Sequence, residues 1–272
     1  MNKCYCKRFI LNSQFVDCKN FNLDIVSKGE SVYDVIRIID STPLFFNEHI
    51  ERLHYSAKLS NLKLWLDKNE IKDEIIKLLK ENKIKNGNVE VIFNFNGNKT
   101  NFIVYLIRHK YPSKKNYIKG VPTIIHFAER ENPNAKIKNK TLRYTTNKLL
   151  KENKVYEAIL VDKNGYITEG SRSNIFFIKD NNVYTPPVES VLPGITREHI
   201  INICKTLNFK VIENKISFKD INIFDAVFLT GTSPKVLPIS KIDNTSFNIK
   251  NFVLGKIVNH FNYEIVEYIR KF

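Results

Sequence analysis

The sequence predicts an α+β protein with two domains, and three observations support this. The chain has 272 residues, which corresponds to about two domains of roughly 150 residues each. Segments typical of strands and of helices follow one another in mixed order, without the regular alternation of a doubly wound parallel sheet. The polar segment 109–120 contains a proline and a glycine, has no hydrophobic period and predicts a linker. We therefore expect a small α+β domain over 1–115 and a larger α+β domain over 116–272.

The first domain is predicted to contain strands, two amphipathic helices and a hairpin. The stretches 7–12 and 32–39 are rich in β-branched and aromatic residues, which favour strands. Apolar residues recur at helical spacing from 47 onward and again over 68–83. The segment 89–108 predicts a hairpin, because the Asn-Gly pair at its centre tolerates a positive φ.

The second domain is predicted to contain both kinds of element. Short apolar runs indicate strands at 122–127, 158–161, 174–178, 183–184, near 211 and at 226–229. Helical periodicity indicates helices after 139, over 196–207, and at the C-terminus up to 270.

Composition excludes several classes of protein. With 43% hydrophobic and 26% charged residues the chain is typical of a folded globular protein, and its apolar runs are too short to span a bilayer. The net charge is +15, but it comes from 34 lysines scattered along the chain and only nine arginines. Because lysine lacks the planar fork with which arginine reads bases and phosphates, nucleic acid is not an expected partner.

Cysteine usage favours a cytoplasmic protein without a metal site. The chain has four cysteines, too few and too unevenly spaced for a disulfide framework, and its charged N-terminal stretch lacks the apolar core of an export signal. Cys4, Cys6 and Cys18 could in principle hold a soft metal, but a Cys-x-Cys pair without a second pair is a weak signal for zinc. We expect ordinary thiols in and around the first strand.

Three short segments contain residues that could bind a cofactor or take part in catalysis. Glu169 is predicted to follow a strand and to precede Gly170, where a turn can direct a carboxylate into a cleft; the alternative is a solvent-facing turn. The segment 192–197 places a Pro-Gly turn before a helix whose first N–H groups can bind an anion. The small-residue turn 230–233 offers hydroxyl groups and accessible amides. Together they suggest a phosphorylated cofactor with a cationic ring.

These segments, with one more, resemble a known family. The motifs are Glu-His-x-x-Arg-Leu (48–53), Thr-Glu-Gly-Ser-x-x-Asn (168–174), Leu-Pro-Gly-Ile-Thr-Arg (192–197) and Thr-Gly-Thr (230–232). In this order they resemble the class IV aminotransferases, the fold-type IV pyridoxal-phosphate enzymes that include branched-chain and D-amino-acid aminotransferases and aminodeoxychorismate lyase. The resemblance implies a fold like that of D-amino-acid aminotransferase, pyridoxal 5'-phosphate as cofactor at the domain interface, and a homodimer.

The resemblance also implies a Schiff-base lysine upstream of Glu169. The segment 135–139 is similar to the family's Lys-x-x-Asn motif, and the alignment back from Glu169 to Lys136 needs no gap. Lys136 is therefore the predicted Schiff-base lysine. Lys140 resembles another form of the motif but requires a shortened helix, and Lys138 is a third candidate. For each of these lysines the alternative is an exposed surface position without a catalytic role.

The remaining roles follow from the same resemblance. Arg52 resembles the arginine that grips the cofactor phosphate, and the amides of Ile195 and Thr196, with Gly231 and Thr232, would complete the cradle. For Arg52, as for its neighbour on the helix, His49, the alternative is an exposed helix face.

Two further residues resemble family residues that contact the cofactor ring or line its pocket. Glu169 would pair with the pyridine nitrogen and keep it protonated, so that the ring can accept electrons. Tyr33 resembles a tyrosine that lines the pocket, and its alternative is a core aromatic residue.

The implied activity is transfer of an α-amino group between an amino acid and a 2-keto acid by a ping-pong mechanism. A lyase that releases pyruvate from the same kind of intermediate is an alternative, and so is a non-catalytic basic binding protein on the same fold. The carboxylate-binding arginine of D-amino-acid aminotransferases is not evident over 89–94, which leaves the amino acid and its stereochemistry open.

Overall fold

The computed structural model of the protein describes residues 4–22, 25, 28–109, 111–137 and 140–272, the side chain of Lys140 excepted. The chain forms two compact units. The first comprises Met1–Lys110, Ala135–Lys138 and Val266–Phe272, and the second comprises Tyr111–Asn134 and Asn139–Ile265. A short middle segment of the chain, which includes Lys136, thus belongs to the first unit.

In its described residues, the first unit has a six-stranded antiparallel sheet and two long helices that pack with it. Its strands are β1 (Arg8–Leu11), β2 (Gln14–Asp17), β3 (Glu30–Ile39), β4 (Thr42–Pro43), β5 (Gly87–Asn96) and β6 (Lys99–Ile107). They pair in the order β2-β1-β6-β5-β3-β4. The helices, α1 (Phe46–Leu59) and α2 (Lys68–Glu81), follow the predicted apolar periodicity.

The alternation of β3 explains the core of this unit. Val32, Ile36 and Ile38 are buried and pack in one cluster with apolar residues of α1 and α2. Since side chains of a strand alternate between its faces, Asp34 shares their face and lies fully buried, whereas Tyr33 lies on the other face. A strand that is otherwise apolar on this face thus places a carboxylate in the core.

The second unit is built on a mixed ten-stranded sheet with its own apolar core. Its strands are β7 (Val121–Phe127), β8 (Glu157–Val161), β9 (Tyr166–Gly170), β10 (Asn174–Lys179), β11 (Asn182–Thr185), β12 (Lys210–Glu213), β13 (Ile216–Ser217), β14 (Ala226–Gly231), β15 (Lys235–Ile242) and β16 (Thr245–Ser246). The order is β12-β11-β10-β14-β15-β7-β8-β9-β13, with β16 on β15. Parallel pairs occur beside antiparallel ones, which confirms the predicted α+β class.

The remaining helices are α3 (Lys114–Lys119), α4 (Lys140–Asn153), α5 (Ile195–Thr206) and α6 (Phe252–Lys271). The buried side chains of α6 recur along one helix face. No helix in the described part of the chain is long and apolar enough to cross a membrane.

Some local features were not predicted. The segment 109–120, predicted as a linker, contains α3, which begins at a capping box between Ser113 and Asn116, and the division between the two compact units falls within it, between Lys110 and Tyr111. The strands β2 and β15 were missed, because their polar and proline-containing sequences are weak strand signals and they are ordered by the strands they pair with.

One prediction was wrong, and it concerns cysteines that were expected to be ordinary thiols. Cys4 and Cys18 form a disulfide across a separation of 14 residues. The β1–β2 hairpin brings them together, since Asn12 and Ser13 adopt positive φ and reverse the chain. Cys6 and Cys204 are free.

The capping box of α2 provides a test of local stability. Asp67 accepts N–H hydrogen bonds from Asn69 and Glu70, and Glu70 accepts one from Asp67 in return. Because Asp67 is exposed and packs against nothing large, Asp67→Ala should lower the free energy of unfolding by about 1 kcal/mol through the lost cap alone. Chemical denaturation measures this. Asp67→Asn, which keeps a capping oxygen, is the matched control, and an equal loss in both variants would contradict the assignment.

Candidate active site

The first unit buries an ionic cluster where β3 faces α1. Asp34 accepts hydrogen bonds from Arg52 Nε at 2.9 Å and Arg52 Nη2 at 2.7 Å, and its Oδ1 lies 3.0 Å from His49 Nδ1. The side chains of Asp34, His49 and Arg52 are 0%, 3% and 7% exposed. His49 and Arg52 are three residues apart and therefore share one face of α1. The alternative of an exposed helix face is wrong, because this face packs on the sheet.

Electrostatics determines the charge of this cluster. Burial alone would raise the pKa of Asp34, but Arg52, His49 and Lys136 outweigh it and hold that pKa well below its ordinary range. Burial is the main cause of the lowered pKa of His49. The charges of Arg52 and Lys136 lower this pKa as well, whereas Asp34 raises it. Near neutral pH the cluster therefore contains a carboxylate, a guanidinium and a neutral imidazole, whose Nδ1–H donates to Asp34.

Lys136 is attached to the same elements through its backbone. Its N–H donates to Ser56 Oγ of α1 at 3.1 Å, and its carbonyl accepts the N–H of Tyr33 of β3 at 3.3 Å. Its Nζ lies 5.4 Å from the centroid of the Tyr33 ring. Three of the predicted residues, Tyr33, Arg52 and Lys136, are thus brought together in one unit.

The other candidate lysines cannot be compared in the same way. Lys138 lies outside the described residues, and Lys140 is described only in its backbone, as the first residue of α4. The placement of Lys136 is consistent with the predicted register, but the attachment lysine itself remains a prediction.

Glu169 lies in the second unit, within β9 rather than after a strand as predicted, and it is 3% exposed. Its Oε1 accepts from Arg130 Nη1 at 2.8 Å, and its Oε2 accepts the N–H of Leu192 at 3.1 Å. The alternative of a solvent-facing turn is therefore wrong. Arg130 was missed by sequence reasoning, since one arginine among charged loop residues has no distinguishing signal.

Asn174 connects Glu169 to the turn that precedes α5. Its Nδ2 donates to the carbonyl of Leu192 at 2.9 Å and lies 3.5 Å from Glu169 Oε2. A Cβ on Gly194 would stand 2.0 Å from Asn174 Oδ1, so the side-chain amide occupies the space that only glycine leaves. Asn174 was part of the quoted motif, but sequence reasoning assigned it no role.

The start of α5 provides accessible backbone donors. Its N-cap residue, Gly194, supplies no side chain to cap the helix, and the first turn begins with Ile195 and Thr196. The first N–H groups of a helix have no partner within it and form the positive end of the helix dipole. The sequence prediction placed an anion at this point.

The Thr-Gly-Thr turn follows β14 in the same unit. Thr230 lies opposite Asn174 in the register of β14 and β10, next to the Gly231-Thr232 step. Its Oγ1 is buried and, among the residues that the structure describes, has no hydrogen-bond partner. A buried hydroxyl without a partner is costly and suggests a group that binds there.

Each unit, taken by itself, offers groups that suit a part of pyridoxal phosphate. The first unit offers an amine and a guanidinium on Lys136 and Arg52, and the second offers the carboxylate of Glu169, a helix start and the hydroxyl of Thr230. These are the groups that an aldehyde, a phosphate and a pyridine nitrogen would require.

The first unit also buries the carboxylate of Glu90. This residue lies in the segment 89–94, where the sequence shows no substrate-binding arginine. The hydroxyl of Tyr105 donates to Glu90, and both residues are buried. By register, Glu90 pairs with Val35 of β3 and so lies on the sheet face of Tyr33. Burial and the charge of Glu90 raise the pKa of Tyr105 above its ordinary value.

Comparisons with known proteins identify the family of the chain. The family model for amino-transferase class IV matches residues 31–242. The chain is 29% identical to the branched-chain-amino-acid aminotransferase of Escherichia coli (strain K12), covering 79% of this chain and 77% of that protein. It is 26% identical to D-alanine aminotransferase of Bacillus licheniformis, covering 87% and 88%.

A solved structure shows the same fold. The crystal structure of a branched-chain amino acid aminotransferase from Escherichia coli superposes with a TM-score of 0.87 at 23% identity, covering 96% of this chain and 95% of the other. The predicted fold-type IV architecture is thereby confirmed. The chain belongs to the class IV aminotransferase family, whose members bind pyridoxal phosphate.

The buried ion pair predicts a large effect on stability. Asp34→Asn keeps the shape of the side chain but leaves the Arg52 guanidinium buried without its counter-charge, which should lower the free energy of unfolding by about 3–5 kcal/mol. Urea denaturation at neutral pH measures the loss. Glu152→Gln removes one partner of the exposed Lys148–Glu152 pair and should change stability by less than about 0.5 kcal/mol. Similar losses in the two variants would refute the special role of Asp34.

Proposed function

We propose that this protein is a pyridoxal-phosphate-dependent aminotransferase that moves an α-amino group between an amino acid and a 2-keto acid. The observation that carries the proposal is the placement of Lys136, whose backbone is tied to Tyr33 and Ser56 and whose Nζ lies over the Tyr33 ring. Family membership and the activities named for the two relatives support it.

The residues have separate tasks in this proposal. When bound, the cofactor supplies an aldehyde that joins an amino group and a cationic ring that withdraws electrons. Lys136 would hold the aldehyde end, and its Nζ would also be the base that takes the proton from the α-carbon of the amino acid. Tyr33 borders the space around that nitrogen, which restricts where a substrate side chain can lie.

Arg52 binds the phosphate in this proposal, together with the first N–H groups of α5 and the turn 230–232. Asp34 accepts hydrogen bonds from Nε and Nη2 of Arg52 and so fixes the orientation of the guanidinium, a planar cation of the kind that binds phosphate. The positive end of α5 adds donors that need no side chain.

Glu169 would accept a hydrogen bond from the protonated pyridine nitrogen. Arg130, Asn174 and the Leu192 N–H hold its carboxylate in place by donating to it. The family resemblance also supports a homodimer, and the small number of cysteines supports a cytoplasmic location, as further parts of the proposal.

The lysine assignment can be tested directly. Pyridoxal phosphate is added, the protein is treated with borohydride, and the modified peptide is identified by mass spectrometry. The label should fall on Lys136. Lys136→Ala should lose it, together with about 10²–10⁴-fold in kcat because the general base is gone. Lys138→Ala and Lys140→Ala are the matched controls and should keep both.

Other outcomes would revise the proposal in defined ways. A label on Lys140 would move the role to that residue. A protein that takes up no pyridoxal phosphate would exclude the enzyme and favour the non-catalytic basic binding protein. Release of pyruvate without a keto-acid acceptor would identify the lyase instead.

Glu169 provides a second test. Glu169→Gln replaces a charge-assisted hydrogen bond worth about 1.5–3 kcal/mol by a neutral one, so the half-reaction with an amino acid should slow by roughly 10–100-fold. Stopped-flow absorbance of the bound cofactor measures that rate. Glu131 is an exposed carboxylate that follows Arg130 in sequence, and Glu131→Gln should leave the rate unchanged. An unchanged rate in Glu169→Gln would remove Glu169 from the proposed site.

A further inference from the structure

Three cysteines converge in the first unit, on a part of the chain that the proposed function does not use. The ligand atoms of Cys4, Cys6 and Cys18 all lie within 4.8 Å of one another. Cys4 and Cys18 are 4% exposed, whereas Cys6 is partly exposed. We propose that, when the Cys4–Cys18 disulfide is reduced, these three thiols form a binding site for a thiophilic divalent metal ion of the Zn²⁺ type.

The distances of Cys6 support a metal site. With Zn–S bonds of about 2.3 Å, two thiolates of a tetrahedral zinc site stand about 3.8 Å apart. Cys6 Sγ lies 3.5 Å from Cys18 Sγ and 3.9 Å from Cys4 Sγ. Cys6 therefore already has the spacing of a ligand toward both other sulfurs. A disulfide between Cys4 and Cys18 would not by itself require that the sulfur of Cys6 lie so close to both of them.

The backbone around the cluster is held at two places. The N–H of Cys18 donates to the carbonyl of Lys7 at 2.8 Å, which closes the open end of the β1–β2 hairpin. Cys4 forms an isolated antiparallel bridge with Ile107 at the end of β6. Two of the three ligands, Cys4 and Cys18, are thus presented by hydrogen-bonded backbone, which limits the ordering of the chain that metal binding requires.

Each chemical step is balanced. A small-molecule dithiol donates two electrons and two protons, breaks the S–S bond and becomes a cyclic disulfide. The metal then forms three bonds to sulfur and displaces three protons to the solvent, because the thiolate is the ligand. The protein donor set has three members, so water fills the fourth position on the exposed side of Cys6.

Basic residues flank the site in sequence. Three thiolates and a divalent ion carry a net charge of −1, and Lys7, Arg8 and Lys19 are adjacent to the ligands along the chain. Burial raises the pKa of the Cys6 thiol, so the metal ion has to displace the proton of that thiol when it binds. Metal binding would tie the N-terminal segment, the hairpin and β6 together, independently of whether the protein is an aminotransferase.

The test uses Co²⁺ as a spectroscopic probe on the full-length protein. The chain is reduced with a dithiol, desalted without oxygen and titrated with Co²⁺, followed by Zn²⁺. We expect one equivalent of Co²⁺, a thiolate-to-cobalt charge-transfer band and displacement by Zn²⁺. Cys6→Ser should weaken Co²⁺ binding at least about 100-fold, since even changes outside the ligand set cost 10–100-fold. The control Cys204→Ala, outside the cluster, should bind as wild type.

A second measurement keeps the test decisive if Cys6→Ser does not fold. In the wild-type protein, Zn²⁺ should protect Cys4, Cys6 and Cys18 from alkylation, as measured peptide by peptide, and leave the labelling of Cys204 unchanged. If the reduced protein binds no Co²⁺ or Zn²⁺ and all three thiols alkylate equally with and without metal, the metal site is excluded. A disulfide that migrates to Cys6 under oxidation, with no protection by Zn²⁺, would assign the cluster to disulfide exchange instead.

Discussion

The buried carboxylate of Asp34 is the constraint on which the first unit depends. Its position follows from the alternation of β3, and a charge without solvent must be paired or it costs several kcal/mol. Arg52 supplies the opposite charge and His49 a hydrogen bond, so α1 must pack with one particular face and register on the sheet. The same contacts orient the guanidinium that the proposed function assigns to the phosphate.

Lys136 belongs to this arrangement although it is distant in sequence. Its backbone bonds to β3 and α1 are short and direct, and its positive charge contributes to the low pKa of Asp34. The fold therefore places this amine in the same unit as Arg52 and Tyr33.

The second unit buries polar groups next to a helix start. The side chain of Glu169 is buried, and Arg130, Asn174 and the Leu192 amide all donate hydrogen bonds to it. Asn174 also fills the space beside Gly194, so the path of the chain into α5 depends on one side-chain amide and one missing Cβ. A preorganised set of donors and acceptors of this kind needs little rearrangement when a ligand binds.

Much could be derived from the order of residues alone. The α+β class, both helices of the first unit and the family followed from periodicity and from four motifs, since these depend on neighbours in the chain. The role of Asp34, the main partner of Glu169 and the meeting of the cysteines did not follow, because they depend on contacts between residues that are distant in sequence. Asp34 and Arg52 are 18 positions apart, Arg130 and Glu169 are 39 apart, and Cys4 and Cys18 are 14 apart. Strand pairing and helix packing decide such contacts. In these places the energy of burying charge, rather than local propensity, selects the structure.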